Sequence, residues 1–208
     1  MLRRFLNPFA PSRPIVVVSG LPRSGTSMLM QMLAAGGLET ISDDVRKSDV
    51  NNPNGYYEFA RVKKLREGDT RWLSAAQGRA IKIISALLEH LPNYFQYNII
   101  FMQRDMAEIL QSQQKMLKSL GEPTDRYSQE ELARRYQVHL HTIMDWLNQQ
   151  PNMAVLYMNH HDVIQDASAQ AAKIEDFLQL GLDTRAMAAV VNAQLYRTKT
   201  PNAIREDR

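Results

Sequence analysis

The chain has 208 residues, 44% of them apolar, with 25 basic and 22 acidic side chains for a net charge of +3, and no cysteine. That length suits one α/β domain and hardly two, and so slight a charge suits an anionic small ligand rather than the dense basic footprint of a nucleic-acid binder. Without cysteine there is no disulfide, thiolate nucleophile or thiolate metal site, which is compatible with a reducing cytoplasm; no apolar run is long enough for a transmembrane helix.

Residues 1–14 read as an N-terminal arm. Arg3 and Arg4 stand beside Phe5, Leu6, Phe9 and Ala10, and Asn7, Pro8 and Pro11 break the apolar part too early for a secretory signal. The first strand is expected at Ile15–Val18. A loop bounded by Gly20 and Gly25 follows, then a helix with Met28, Leu29, Met32 and Leu33 on one face, ended by Gly36-Gly37. The spacing of the two glycines is that of a phosphate-cradling P-loop, whose backbone N–H groups converge on an anion at the helix N-terminus; a plain strand-to-helix turn is the alternative. A Walker A loop carries Lys immediately after its second glycine. Here that position is Thr26, and the loop's one cation, Arg23, comes two residues before Gly25.

Leu38–Ile41 reads as a short second strand. Ser42–Tyr57 is a polar loop dense in turn residues at Asn51-Asn52-Pro53-Asn54-Gly55. One helix is expected over Phe59–Leu73, anchored by Val62, Leu65 and Leu73. A strand at Ala80–Ile84 follows, then a helical turn at Leu87–Leu91 closed by Pro92. Asn98–Gln103 is the clearest later strand and ends at Arg104. A helix begins near Met106 and stops at Gly121-Glu122-Pro123. Ser128 with Glu131 reads as a capping box opening a helix to about Asn148, with Leu132, Tyr136, Leu140, Ile143 and Leu147 as its stripe. Ala154–Met158 is a strand, and NHHDVIQD a polar loop. One helix then ends at Leu180-Gly181, another spans about Thr184–Asn192, and residues 200–208 form a tail.

Short, apolar, unalternating strands separated by amphipathic helices specify a parallel sheet covered on both faces. The fold class expected is α/β: a P-loop parallel sheet sandwiched between helices in three layers, one domain over residues 15–199. Ligands in such sheets sit beyond the carboxyl ends of the strands, where both the phosphate loop and Arg104 fall. By the helical period Ser112 lies on the edge of its helix's buried stripe, facing neither deep core nor open solvent.

The segment Pro22-Arg23-Ser24-Gly25-Thr26-Ser27 fits at every position the P-[KR]-S-G-T-[ST] loop of the sulfotransferases that use 3′-phosphoadenylyl sulfate (PAPS), and the chain resembles that family. RDMAEILQS resembles the family's strand-end Arg followed eight residues later by Ser. Softer likenesses are NPNGYYE at Asn52–Glu58, VLYMNHHDVIQD with KIEDFLQLGL, where His160 stands for the usual Tyr, and LYRTK near the end. The resemblance implies a PAPS-dependent sulfotransferase. Pro22, Arg23, Ser24, Gly25, Thr26 and Ser27 would bind the 5′-phosphosulfate, Arg104 and Ser112 the 3′-phosphate, and Arg197 would also contact the cofactor. PAPS and its product PAP carry no triphosphate to bridge, so no metal is implied.

Sulfuryl transfer needs positioning and neutralisation of charge on the leaving oxygen. Arg23 can supply that cation. Cytosolic relatives place a catalytic His after the strand equivalent to AIKII, and none stands there. Glu58 is the candidate base, or a solvated Glu opening a helix. Lys82 is a candidate for the transferring group, or a snorkelling strand-end Lys. His160-His161 projects in two directions and lacks a third ligand for a metal. The expected partner is a small-molecule, carbohydrate or lipid acceptor, with no nucleic acid and no membrane span, a homo-oligomer being left open and the location cytoplasmic. Two other readings remain: a catalytically silent PAP-binding protein on the same scaffold, and a P-loop kinase.

Overall fold

The β-branched run forms β1 (Ile15–Gly20), and all six of its residues are buried. The computed structural model describes residues 13–43, 55, 57–123 and 128–191. β2 (Thr40–Ile41), β3 (Ala80–Lys82), β4 (Tyr97–Gln103) and β5 (Met153–Asn159) complete a five-stranded sheet of order β2-β3-β1-β4-β5. Every pairing is parallel, with Val18 opposite Lys82 on one side of β1 and Ile100 on the other.

Burial on both faces explains the continuous apolar run of β1. Ile15 and Val17 point into one core with Leu73, Leu88, Tyr97, Phe101 and Leu147. Val16 and Val18 point into the other, with Leu29, Leu33, Ile100, Ile174 and Met187. Each such side chain contributes roughly 1.5–3 kcal/mol by leaving water. The second core is roofed by α1 (Thr26–Ala35), α4 (His160–Gln165), α5 (Ala167–Leu178) and α6 (Thr184–Ala189). The first is covered by α3 (Gln129–Leu147) and by three 3₁₀ helices at Ala60–Glu67, Arg71–Ala76 and Ser85–His90. α2 (Met106–Ser119) follows β4 and packs on α3. The result is the three-layer parallel sheet that the sequence specifies.

Several boundaries differ from the sequence expectation for identifiable reasons. The helix expected over Phe59–Leu73 is two 3₁₀ helices parted at Gly68. Val62 and Leu65, its buried anchors, are three apart, and that spacing aligns side chains on a 3₁₀ helix. NHHDVIQD is not a loop: Asn159 caps α4 by accepting from the His161 N–H at 2.8 Å. In the stripe of α3 only Ile143 and Leu147 are buried, while Leu132, Tyr136 and Leu140 are half-buried. The capping residue Ser128 does accept from Glu131 N, at 3.1 Å.

The chain leaves β1 towards β2, returns to β3 beside β1, then crosses to β4 and β5 on the opposite side. That reversal opens a crevice at the carboxyl end of β1, and the site lies there.

Candidate active site

Gly20 ends β1 at φ +145°, and a Cβ there would stand 2.6 Å from the Met102 carbonyl oxygen of β4. Only glycine lets the two strands stay paired while the chain turns away. The turn is closed by Ser24 N–H donating to Leu21 O at 3.1 Å. Arg23 takes a left-handed φ of 71°, a conformation costing about 1–2 kcal/mol for a residue with a Cβ. Gly25 takes the N-cap position of α1 at φ +108°. Side chains cap all five other α-helices among the described residues, through Asp105, Ser128, Asn159, Asp166 and Asp183; α1 has no side-chain cap. Beside it, Ser24 is 1% exposed and its Oγ has no hydrogen-bond partner among the described residues.

The two sequence constellations meet directly. Arg23 Nε donates to Ser112 Oγ at 3.0 Å, and Arg23 Nη1 lies 3.9 Å from Met116 Sδ, both on α2. Arg104, at the end of β4, donates through Nη1 to the Arg23 carbonyl at 3.0 Å and through Nε to Glu108 Oε2 at 2.9 Å. The Arg104 and Glu108 side chains are 9% and 8% exposed. Asp105 caps α2 by accepting from the Glu108 N–H, so one turn of helix presents both Glu108 and, four residues on, Ser112.

His160 closes the other side. Its ring lies where a Cβ on Gly25 would come, 2.5 Å from Cδ2. Burial, and then the Arg104 charge, push its pKa down to about 3, with Glu108 opposing. The ring is therefore neutral at physiological pH.

Pro22, Thr26 and Ser27 lie in the loop and first turn of α1. Lys82 ends β3, next to β1, and is half-buried. Glu58 sits beyond the far edge strand, where its carbonyl accepts from Asp43 N at 3.1 Å. The structure thus brings Arg23, Arg104 and Ser112 together, with Lys82 one strand away and Glu58 at the sheet's edge. Asn52, Pro53, Asn54, Tyr56 and Arg197 lie outside the described residues. Sequence reasoning missed Glu108, whose i+4 spacing from Arg104 was a usable signal. It read His160 as a departure from a motif, not as the residue packed on Gly25. No local signal joins Gly25 to His160, which are far apart in the chain. Among the described residues no group of three or more His, Asp or Glu could hold a metal ion, and no helix is long and apolar enough to cross a membrane.

A central first strand that turns through two glycines into a helix without a side-chain cap is the P-loop class of α/β fold. Within it the chain belongs to the sulfotransferase family, whose sequence model matches residues 57–184, more than half of the chain. The match begins after the Gly20–Gly25 loop. Among solved structures, mouse sulfotransferase SULT7A1 complexed with PAP has a TM-score of 0.51 at 16% identity, covering 90% of this chain. This chain spans 64% of the mouse protein's length. The sulfotransferase domain from the curacin biosynthetic pathway has a TM-score of 0.48 at 15% identity, covering 85% of this chain and 77% of that one. No curated protein sequence matches significantly.

Proposed function

We propose that residues 15–199 form one domain that transfers the sulfuryl group of PAPS to a hydroxyl or amine of an acceptor. The observation that carries this reading is the contact between Arg23 of the loop and Ser112 of the Arg104 turn. It joins the loop's cation, which would meet a 5′-phosphosulfate, to residues that would meet a second phosphate. The residues present suit such an anion. The N-terminus of α1 has no side-chain cap, the buried Ser24 Oγ lies beside it without a partner among the described residues, and two glycines keep Cβ atoms out of the cradle.

PAPS supplies an activated sulfuryl group on a phosphate leaving group. Pro22 to Ser27 would hold the 5′ end, Thr26 and Ser27 by hydroxyl and backbone donors. Arg104, Ser112 and Arg197 would hold the 3′-phosphate. Arg23 would neutralise charge developing on the bridging oxygen, Lys82 would face the transferring group, and Glu58 is the acidic residue proposed near the acceptor. No metal is required, and the acceptor is a small molecule, carbohydrate or lipid. The absence of cysteine accords with a cytoplasmic site of action.

The test is thermal stabilisation by PAP, PAPS, ATP and GTP, with and without Mg²⁺. A ligand at 100 times its dissociation constant adds about 2.7 kcal/mol. PAP should stabilise without Mg²⁺ and ATP less. Equal or greater stabilisation by ATP with Mg²⁺ would favour the kinase reading, and PAP binding without transfer to any acceptor the silent one.

A further inference from the structure

The chain's surplus of positive charge is gathered in one segment. Between Ala60 and Arg71 stand five basic residues, Arg61, Lys63, Lys64, Arg66 and Arg71, against two acidic ones, Glu67 and Asp69. That surplus of three equals the net charge of the whole chain, so the rest of the sequence is balanced. All five cations are exposed. Arg61 Nε donates to Asp69 Oδ2 at 2.8 Å. That bond is the main cause of the lowered Asp69 pKa, and the charges of Arg61, Lys64 and Arg71 add to it against desolvation. Three cations thus surround one carboxylate. Lys63, Lys64, Arg66 and Arg71 make no ion pair among the described residues.

The 3₁₀ helix Ala60–Glu67 turns this charge into a ridge. With three residues per turn its side chains fall into three rows, about 120° apart. Val62 and Leu65, 6% and 2% exposed, are the row that faces the core. Lys63 and Arg66 form a second row, and Arg61, Lys64 and Glu67 the third. The second row borders the candidate site. Arg66 Nη2 reaches the Ala86 carbonyl at 3.5 Å, and Ala86 lines a cavity together with Ile84 and Pro22, the residue before Arg23.

We propose that this ridge docks the protein on an anionic lipid surface, with the Gly20–Gly25 loop close to the headgroups. The docking stands apart from the sulfuryl-transfer reading. Its consequence, an acceptor hydroxyl or amine presented at the membrane surface, rests on that reading.

Charge complementarity makes the partner anionic, and the shape of the ridge makes it a surface. A small anion is held in a concave site where donors converge. Here two basic rows diverge around a convex helix, and a flat sheet of negative charge meets both at once. Such attraction acts over about 8 Å at physiological ionic strength, so it needs no fixed side-chain geometry, and each Lys or Arg near an anionic leaflet adds to it. An interfacial amphipathic helix buries its apolar face in lipid, but this one has spent Val62 and Leu65 on the core. The docking is therefore electrostatic and released by salt, with Ile84, 40% exposed beside Ala86, as an apolar contact.

The experiment sediments the full chain with vesicles of equal parts phosphatidylglycerol and phosphatidylcholine. The protein should bind these, should leave them at high salt, and should not bind phosphatidylcholine alone. Lys63→Glu/Arg66→Glu should weaken binding roughly 10–100-fold while keeping the wild-type melting temperature and its stabilisation by PAP. Arg185→Glu places a new acidic residue on α6, which roofs the other core, and should leave binding unchanged. Equal binding to neutral vesicles, or a similar loss in Arg185→Glu, would overturn the ridge as the docking surface. Binding to polyglutamate that depends on Lys63 and Arg66, with no binding to anionic vesicles, would assign the ridge to an acidic protein and overturn the lipid surface. Vesicle binding that follows the ridge in a protein that PAP does not stabilise would uphold the docking and overturn the donor reading alone.

Discussion

The Arg23 guanidinium donates to the Ser112 hydroxyl across 3.0 Å, joining residues 89 positions apart. Arg23 belongs to the Gly20–Gly25 loop and Ser112 to the second turn of α2, so the hydrogen bond ties the two segments together. Ser112→Ala should weaken PAP, which would lose its 3′-phosphate contact, more than adenosine 5′-phosphosulfate, which would feel the change only through the released Arg23. A hydrogen bond to a charged group is worth about 1.5–3 kcal/mol, or roughly 10–150-fold in affinity. Calorimetric titration of both ligands checks this; a loss confined to PAP would show that Arg23 leaves Ser112 on binding.

Arg104 and Glu108 form an ion pair in which both side chains are almost wholly buried. Removing one partner strands the other's charge in the interior. Glu108→Ala should cost about 3–5 kcal/mol in urea unfolding, while the double variant Arg104→Met/Glu108→Leu should recover most of it. PAP affinity should not recover with stability, because the guanidinium is gone.

Gly25→Ala should damage the site in two separable ways. The new methyl meets His160 Cδ2 at 2.5 Å, and φ of +108° is a conformation L side chains rarely adopt. Adding His160→Ala removes the collision and leaves the backbone strain. The double variant should regain part of the lost melting temperature and little of the PAP affinity. Full recovery of both would show that φ at this position relaxes freely.

His160 predicts an acid limb in stability. Its folded pKa of about 3 lies below the ordinary value of 6.5, so between those values the unfolded chain binds a proton that the folded chain refuses. The stability is fully present above pH 6.5 and falls as pH drops towards 3, by about 1.4 kcal/mol per pH unit. Urea unfolding from pH 7 to pH 4 should show a slope shallower by about that amount in His160→Gln. Equal slopes would mean that His160 is protonated in the folded protein.

Local patterns were enough to read the sheet and the loop. Ile15–Val18 and Asn98–Gln103 are apolar and unalternating because both faces of their strands are covered, and the glycine spacing at 20 and 25 marks the turn between β1 and α1. Pairings between distant elements were not legible. Arg104 and Ser112 were visible as a spaced pair, but not that Ser112 holds Arg23, nor that Glu108 holds Arg104. Ser85 Oγ and His139 Nε2, 2.9 Å apart, carry no shared motif; only the packing of α3 on the 3₁₀ helix Ser85–His90 brings them together. The 3₁₀ helices were read as α-helical because short apolar spacings of three satisfy either period.

The position of β1 also bears on how the protein is made. β1 pairs with β3 and β4, whose matching residues lie about 64 and 82 positions later in the chain. During synthesis Ile-Val-Val-Val therefore emerges well before either neighbour, with both edges and both apolar faces unsatisfied. Such a segment is prone to associate with copies of itself. The strand that centres the finished sheet is thus exposed before its partners exist, and chaperone supply during synthesis should raise the soluble yield.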